Sequence, residues 1–150
     1  MRLYRRQDAP GAASVTVYLH GGGMFLGSLD THDTRCRIYA RLSGAASLSV
    51  GYRLAPEHPH PVPMEDCYAV PRWATAHAAD LGIDPARIAV RDDSAGGGLA
   101  AAVALLSRDR RGPVELIQYP AVHHAFDTFG PGAAVSRRAV GNRVRALSAF

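Results

Sequence analysis

Ser94 is the residue whose setting most invites chemistry. It stands in Asp93-Ser94-Ala95-Gly96, after the run Arg87-Ile88-Ala89-Val90 and before an alanine- and leucine-rich stretch. A serine on a tight strand-to-helix turn is held in a strained conformation with its hydroxyl lifted clear of the sheet, as in a nucleophile elbow. The backbone N–H of Ala95 would then face a developing oxyanion, aided by the partial positive charge at a helix N-terminus. The same residues also read as a simple helix cap, and taken alone they do not separate the two.

A second segment does. His20-Gly21-Gly22-Gly23 follows the apolar run Val15-Thr16-Val17-Tyr18-Leu19, the place from which an elbow of this kind draws its other oxyanion donors. Glycines suit that role because the backbone must approach a substrate carbonyl closely and point N–H groups inward. Gly21 and Gly22 are the candidate donors, and His20 is expected to orient the loop rather than to act as a base. A triple glycine by itself is more often a flexible loop. Joined to the elbow, it points to acyl transfer by a serine nucleophile.

The elements that must position these residues follow from periodicity. Val15–Leu19 reads as a buried strand. Asp33–Leu42 reads as a helix with Cys36, Ile38, Tyr39 and Leu42 on an apolar face and Gly44 just past its end. Ser47–Val50 predicts a second strand, followed by the proline-rich loop Leu54–Pro61. Met64–Ala79 has helical composition, with Pro71 expected to kink or divide it. Arg87–Val90 is a third strand, Ala95–Leu106 a helix, Glu115–Tyr119 a fourth strand and Ala133–Phe150 a closing helix with Val140, Val144 and Leu147 as apolar positions. Strands alternating with helices imply an α/β fold, a three-layer αβα sandwich around a mostly parallel sheet, with the site at the C-terminal strand ends.

Length and composition set the frame. A chain of 150 residues, 47% hydrophobic and 20% charged, fits one domain over residues 1–150. No tract is long enough to cross a bilayer. The basic start Met1–Arg6 leads into Gln, Asp, Pro and Gly rather than an apolar segment, so no signal peptide is expected and a cytoplasmic location follows. The net charge of +4 comes with 17 cationic side chains, all arginine. They are spread along the chain apart from Arg108-Asp109-Arg110-Arg111 and Arg137-Arg138, which favours solvated surface charge over a nucleic-acid face. Cys36 and Cys67 are too few for a disulfide framework and read as core residues. His58 and His60 lack companions for a metal shell. His32 is expected in a loop, His77 on a helix surface, and Trp73 in the core with Tyr68 and Val70.

His20–Gly23, the stretch Tyr52-Arg53-Leu54-Ala55-Pro56-Glu57-His58-Pro59, and Asp93-Ser94-Ala95-Gly96-Gly97 together resemble the hormone-sensitive-lipase-type (GDXG) branch of the α/β-hydrolases. Arg2 to Tyr119 resembles that family's central region almost without a gap. His124-Ala125-Phe126-Asp127 resembles its histidine block, which implies that His124 is the general base. The resemblance also implies hydrolysis of short- to medium-chain esters without metal or cofactor.

The departures are specific. Asp92 stands where the pattern has glycine, so crowding at the elbow is expected, with a carboxylate opposing the oxyanion. Met24 replaces an aromatic residue and Gly51 an acidic one. Between Pro120 and His123 the family has two further strands, the triad acid and part of the lid; here only Ala121 and Val122 intervene. The N-terminal lid region is absent too, so the chain reads as an incomplete α/β-hydrolase fold, truncated at its start and internally deleted.

In this fold the strand ending at Tyr119 neighbours that of Ser94, about 4.8 Å away, and four residues beyond Pro120 extend at most roughly 14 Å; Ser94 and His124 can therefore meet. Asp127 would need a sharp turn to serve as acid. Loss of the acid's orienting role costs roughly 10⁴ in rate in the serine-protease template, while an oxyanion hole alone leaves about 10³ over water. The leading expectation is thus a weak carboxylesterase. Its rivals are a non-catalytic remnant or binding module of the same fold and, further off, an arginine-driven nucleic-acid binder. The strand Glu115–Tyr119 would present an uncovered edge, a route to homo-oligomers.

Overall fold

The computed structural model describes residues 1–8, 11–92, 94–109 and 132–149. In chain order the elements are β1 (Arg2–Tyr4), β2 (Ala13–Leu19), α1 (Asp33–Ser43), β3 (Ala46–Val50), α2 (Val62–Ala76), α3 (Ala78–Leu81), β4 (Ile83–Asp92), α4 (Ala95–Asp109) and α5 (Ala134–Ala149). The expected strand Glu115–Tyr119 lies outside the described residues.

The sheet order is β1-β3-β2-β4. β2 pairs in parallel with both β3 and β4, while β1 runs antiparallel along the outer edge of β3. The central position of β2 follows from its sequence, because Ala13-Ser14-Val15-Thr16-Val17-Tyr18-Leu19 is buried along its whole length. A parallel strand covered on both faces can afford no charged residue.

The two faces carry different chemistry. Val15, Val17 and Leu19 join Leu48 and Val50 on one face, under Cys67, Val70 and Ala74 of α2 and Leu99, Ala100 and Val103 of α4. The opposite face presents Tyr18, which packs with Tyr4, Cys36 and Ala40 beneath α1. Ser47 and Ser49 are small enough to let Cys36 approach, and burial pushes the Cys36 thiol up from its ordinary range. α5 packs on α1, burying Ser136 and Ala139. Helices therefore cover both faces, as expected of a three-layer α/β sandwich.

Several details depart from the sequence pattern. Of the apolar face expected on α1, only Cys36 is fully buried, joined by Ala40; Ile38 and Leu42 are exposed. At about 100° per residue Ile38 sits on the far side of the helix from Cys36, and the i, i+4 pair Cys36–Ala40 wins because it meets the small serines of β3. α2 runs through Pro71 and ends at His77, where the expected division falls instead. There the imidazole Nδ1–H donates to the Trp73 carbonyl at 2.9 Å. Trp73 itself is 37% exposed and stacks on His77 with centroids 4.6 Å apart. The buried stripe of α2 is Pro63, Cys67, Val70 and Ala74, spaced four, three and four residues apart, so Trp73 flanks the core rather than filling it.

β4 begins earlier than its β-branched run. Ile83 is buried, and a register shift between Ala13 and Val15 of β2 accommodates the residues that follow it. Asp84 stabilises that irregularity by accepting from the Ala86 N–H at 2.9 Å and from Arg87 at 2.7 Å.

Candidate functional site

Three loops leave the same rim of the sheet. Leu19 pairs with Val50 on one side and with Asp92 on the other, so the three parallel strands end side by side. His20–Gly27, Gly51–Pro61 and the Ser94 turn all start there.

Ser94 is exposed and has φ 54°. The only other non-glycine residue at positive φ among those described is Met24, at 69°. Such left-handed conformations cost about 1–2 kcal/mol for an L-residue and gather where function is built. α4 begins immediately after Ser94, whose carbonyl accepts from the Gly97 N–H at 2.8 Å. This is a strand-to-helix turn with a strained serine at its apex, as the sequence predicts. Asp93 lies outside the described residues.

Gly96 shows how closely the two halves of the site meet. A Cβ there would collide with the Leu19 carbonyl oxygen and lie 3.0 Å from that of His20. The first turn of α4 therefore rests directly on the start of the triple-glycine loop. This is the close helix–strand approach that only glycine permits.

His20 is buried and frames the loop. Its Nδ1 lies 2.8 Å from the Gly21 carbonyl, and since a carbonyl can only accept, Nδ1 carries the proton. Nε2 is enclosed and has no hydrogen-bond partner among the described residues. The ring is gripped instead by stacking, against Tyr52 at 4.2 Å and His32 at 5.5 Å. The Tyr52 hydroxyl donates to the His20 carbonyl at 2.7 Å, and burial pushes its pKa up to about 12.

Because C=O and N–H point in opposite directions across a trans peptide, these bonds also set the amides. The His20 carbonyl faces Tyr52 and α4, so the Gly21 N–H points away from them, and Gly21 is buried. The Gly21 carbonyl faces the His20 ring, which turns the Gly22 N–H outward. The Gly22 carbonyl accepts from Phe25 and Leu26 N–H at 3.2 and 2.9 Å, which aims the Gly23 N–H away from that turn. Gly22 has φ 126°, and a Cβ would strike the Leu26 carbonyl.

The loop then climbs to an apolar lip. Met24, Phe25 and Leu26 are all exposed. The Met24 Cε lies 3.9 Å from the Cβ position of Gly98 on α4, and its carbonyl accepts from the Ala55 N–H at 3.0 Å. Arg53 pins the Gly51–Pro61 loop to α2. Its guanidinium makes a two-pronged pair with Asp66 at 2.9 and 2.7 Å, and its backbone N–H adds a third bond at 3.0 Å. Arg53 holds the Asp66 carboxyl below the usual carboxylate range.

Ser94, Ala95, Gly96 and His20–Gly23 are thus brought to one rim. His124 and Asp127 lie outside the described residues, as does the expected deletion at 120–123. Sequence reasoning missed Tyr52 and His32 as the clamps on His20, and the lip at Phe25 and Leu26; three consecutive apolar residues inside a glycine-rich loop were the available signal. Among the described residues no three His, Cys, Asp or Glu side chains gather as a metal-ligand set, and no described helix is long and apolar enough to cross a membrane. Many arginines are spent in pairs, Arg2 with Asp30 and Asp33, Arg37 with Asp33, and Arg87 with Asp84.

The chain is similar to known proteins in sequence and in fold. A family model of the alpha/beta hydrolase fold matches residues 16–143. Esterase LipI of Mycobacterium tuberculosis is 43% identical over 99% of this chain and 48% of its own length; carboxylesterase NlhH of the same species is 52% identical over 71% and 34%. A hyperthermophilic esterase from the archaeon Pyrobaculum calidifontis superposes with a TM-score of 0.69 at 50% identity, over 72% of this chain and 34% of that one. The chain therefore spans half or less of the length of these relatives. With a family match over most of its residues, and with relatives that are esterases, this chain belongs to the α/β-hydrolase fold family, in its hormone-sensitive-lipase-type branch.

Proposed function

We propose that the chain carries a carboxylic-ester hydrolase site in which Ser94 is the nucleophile. The observation that supports it best is the contact of Gly96 with the Leu19 and His20 carbonyls, which seats the strained serine beside the triple-glycine loop. In this reading Ser94 Oγ attacks the ester carbonyl while His124 accepts its proton. The tetrahedral oxyanion is met by backbone N–H groups, the alcohol departs with a proton from His124, and water releases the acyl group by the same route.

Gly21 and Gly22 were the donors expected from sequence. The peptide directions favour moving that assignment by one residue, to Gly22 and Gly23, with Ala95 as the third donor; Gly21 joins His20 in the frame. Asp93 and Gly96 complete the motif, Gly96 by permitting close packing. The exposed lip of Met24, Phe25 and Leu26 suits the acyl or alkyl part of a short- to medium-chain ester. No cofactor enters the reaction, and the substrate is a small neutral ester.

Turnover of p-nitrophenyl acetate and butyrate, compared with Ser94→Ala, tests the assignment. A Ser94-dependent rate supports it, and equal rates would remove the catalytic claim. Asp92, standing where the family pattern has glycine, favours a second reading, a catalytically impaired or non-catalytic binding module of the same fold. Stoichiometric modification of Ser94 by a fluorophosphonate counts against that alternative.

A further inference from the structure

We propose that Asp92 acts as an electrostatic brake on Ser94, an inference that rests on the acyl-transfer reading above. Asp92 is the last residue of β4, directly opposite Leu19. Strand alternation puts it on the same face as Ile88 and Val90, the face that α4 covers. Its Oδ1 and Oδ2 lie 3.3 and 3.8 Å from the Cβ position that Gly97 leaves empty. Gly97 is also the residue whose N–H closes the turn onto the Ser94 carbonyl. The carboxylate thus lies along the first turn of α4, the turn whose positive end should support the oxyanion.

Arg91 points to the opposite face of the sheet, its guanidinium 3.1 Å above the Tyr39 ring and 5.4 Å from that of Tyr18. The strand end therefore presents a carboxylate to the α4 face and a guanidinium to the α1 face.

A neutral ester carries no charge for Asp92 to repel. The tetrahedral oxyanion does, so the carboxylate raises the energy of the transition state more than that of the bound substrate. Such a residue slows the chemical step while leaving substrate affinity nearly unchanged. It also predicts that the deficit is screened by salt, which a purely steric effect of the side chain would not be.

The test uses a neutral alkyl fluorophosphonate on the whole chain. The Ser94 Oγ–P bond forms as the P–F bond breaks; fluoride leaves and the hydroxyl proton passes to the base or to water. Labelling rates are compared for the wild type, Asp92→Asn and Asp92→Gly, each paired with its Ser94→Ala counterpart, after circular dichroism confirms folding. Asp92→Asn keeps the size and removes the charge, and is expected to label about tenfold faster. Salt at about 1 M, where the screening length falls to about 3 Å, should accelerate the wild type and leave Asp92→Asn unchanged. Ser94-dependent labelling that is no faster in either variant and insensitive to salt overturns the brake alone. Labelling absent from every variant, or equal in the Ser94→Ala proteins, overturns the serine reading and the brake with it.

Discussion

The ring of Tyr52 lies 4.2 Å from that of His20 and within 16° of parallel to it, and the Tyr52 hydroxyl donates to the His20 carbonyl at 2.7 Å. One side chain thereby fixes both the imidazole and the peptide that starts the glycine loop. Tyr52→Phe keeps the stack and strands a buried carbonyl, which costs about 1–3 kcal/mol. Urea unfolding should show a loss in that range. Any Ser94-dependent esterase rate should fall further than the stability change requires, because the amides of Gly22 and Gly23 lose their reference.

Gly96 and Gly141 make a matched pair of helical glycines with opposite surroundings. A methyl group at Gly96 meets backbone oxygen, whereas at Gly141 it meets nothing within 4 Å among the described residues. Gly96→Ala is expected to destabilise by about 3 kcal/mol, at the upper end of overpacking. Gly141→Ala should stabilise by about 0.5–1 kcal/mol through helix propensity. Thermal melts of the two variants should move in opposite directions.

The Arg53–Asp66 pair predicts a pH dependence with a definite sign. Arg53 lowers the carboxyl of Asp66 in the folded state, relative to an unfolded value of about 3.9. The stabilisation is therefore complete above that unfolded value and is lost as pH falls through the lower folded one. Arg53 is half exposed, which limits the contribution to about 1 kcal/mol or less. Asp66→Asn should flatten this part of the acid limb when unfolding free energy is followed from pH 6 downward.

Both cysteines are free and buried, and burial pushes the Cys67 thiol up to about 12. A thiol that is neither ionised nor reachable does not attack a disulfide reagent. Native protein at pH 8 should leave Ellman's reagent colourless, and both thiols should react once guanidinium unfolds the chain. Rapid reaction of either one in the native state would contradict the packing described.

Much of this was legible in the sequence because it rests on local patterning. The run Val15–Leu19, the glycine past α1 and the serine between strand and helix each state their own geometry. What was not legible depends on partners far along the chain. Ile38 is as apolar as Cys36, yet the serines of β3 decide which of them is buried. Trp73 has the composition of a core residue, but its angle on α2 places it beside the buried stripe. The clamps on His20 come from Tyr52 and His32, 32 and 12 residues away, and no spacing rule connects them. The direction of each peptide in the glycine loop is likewise set by what its carbonyl touches, Tyr52 for His20 and the Phe25 and Leu26 amides for Gly22.

The level ending of the three parallel strands at Val50, Leu19 and Asp92 restricts how this molecule can change. Adding or removing one residue inside any of these strands would turn its outgoing loop over to the opposite side of the pleat. Two residues would restore the side but lift that loop about 6.6 Å above its neighbours. Variation in length is therefore confined to the loops themselves. The glycine turn, the proline-rich segment and the serine bend are free to diversify only while the floor beneath them stays flush.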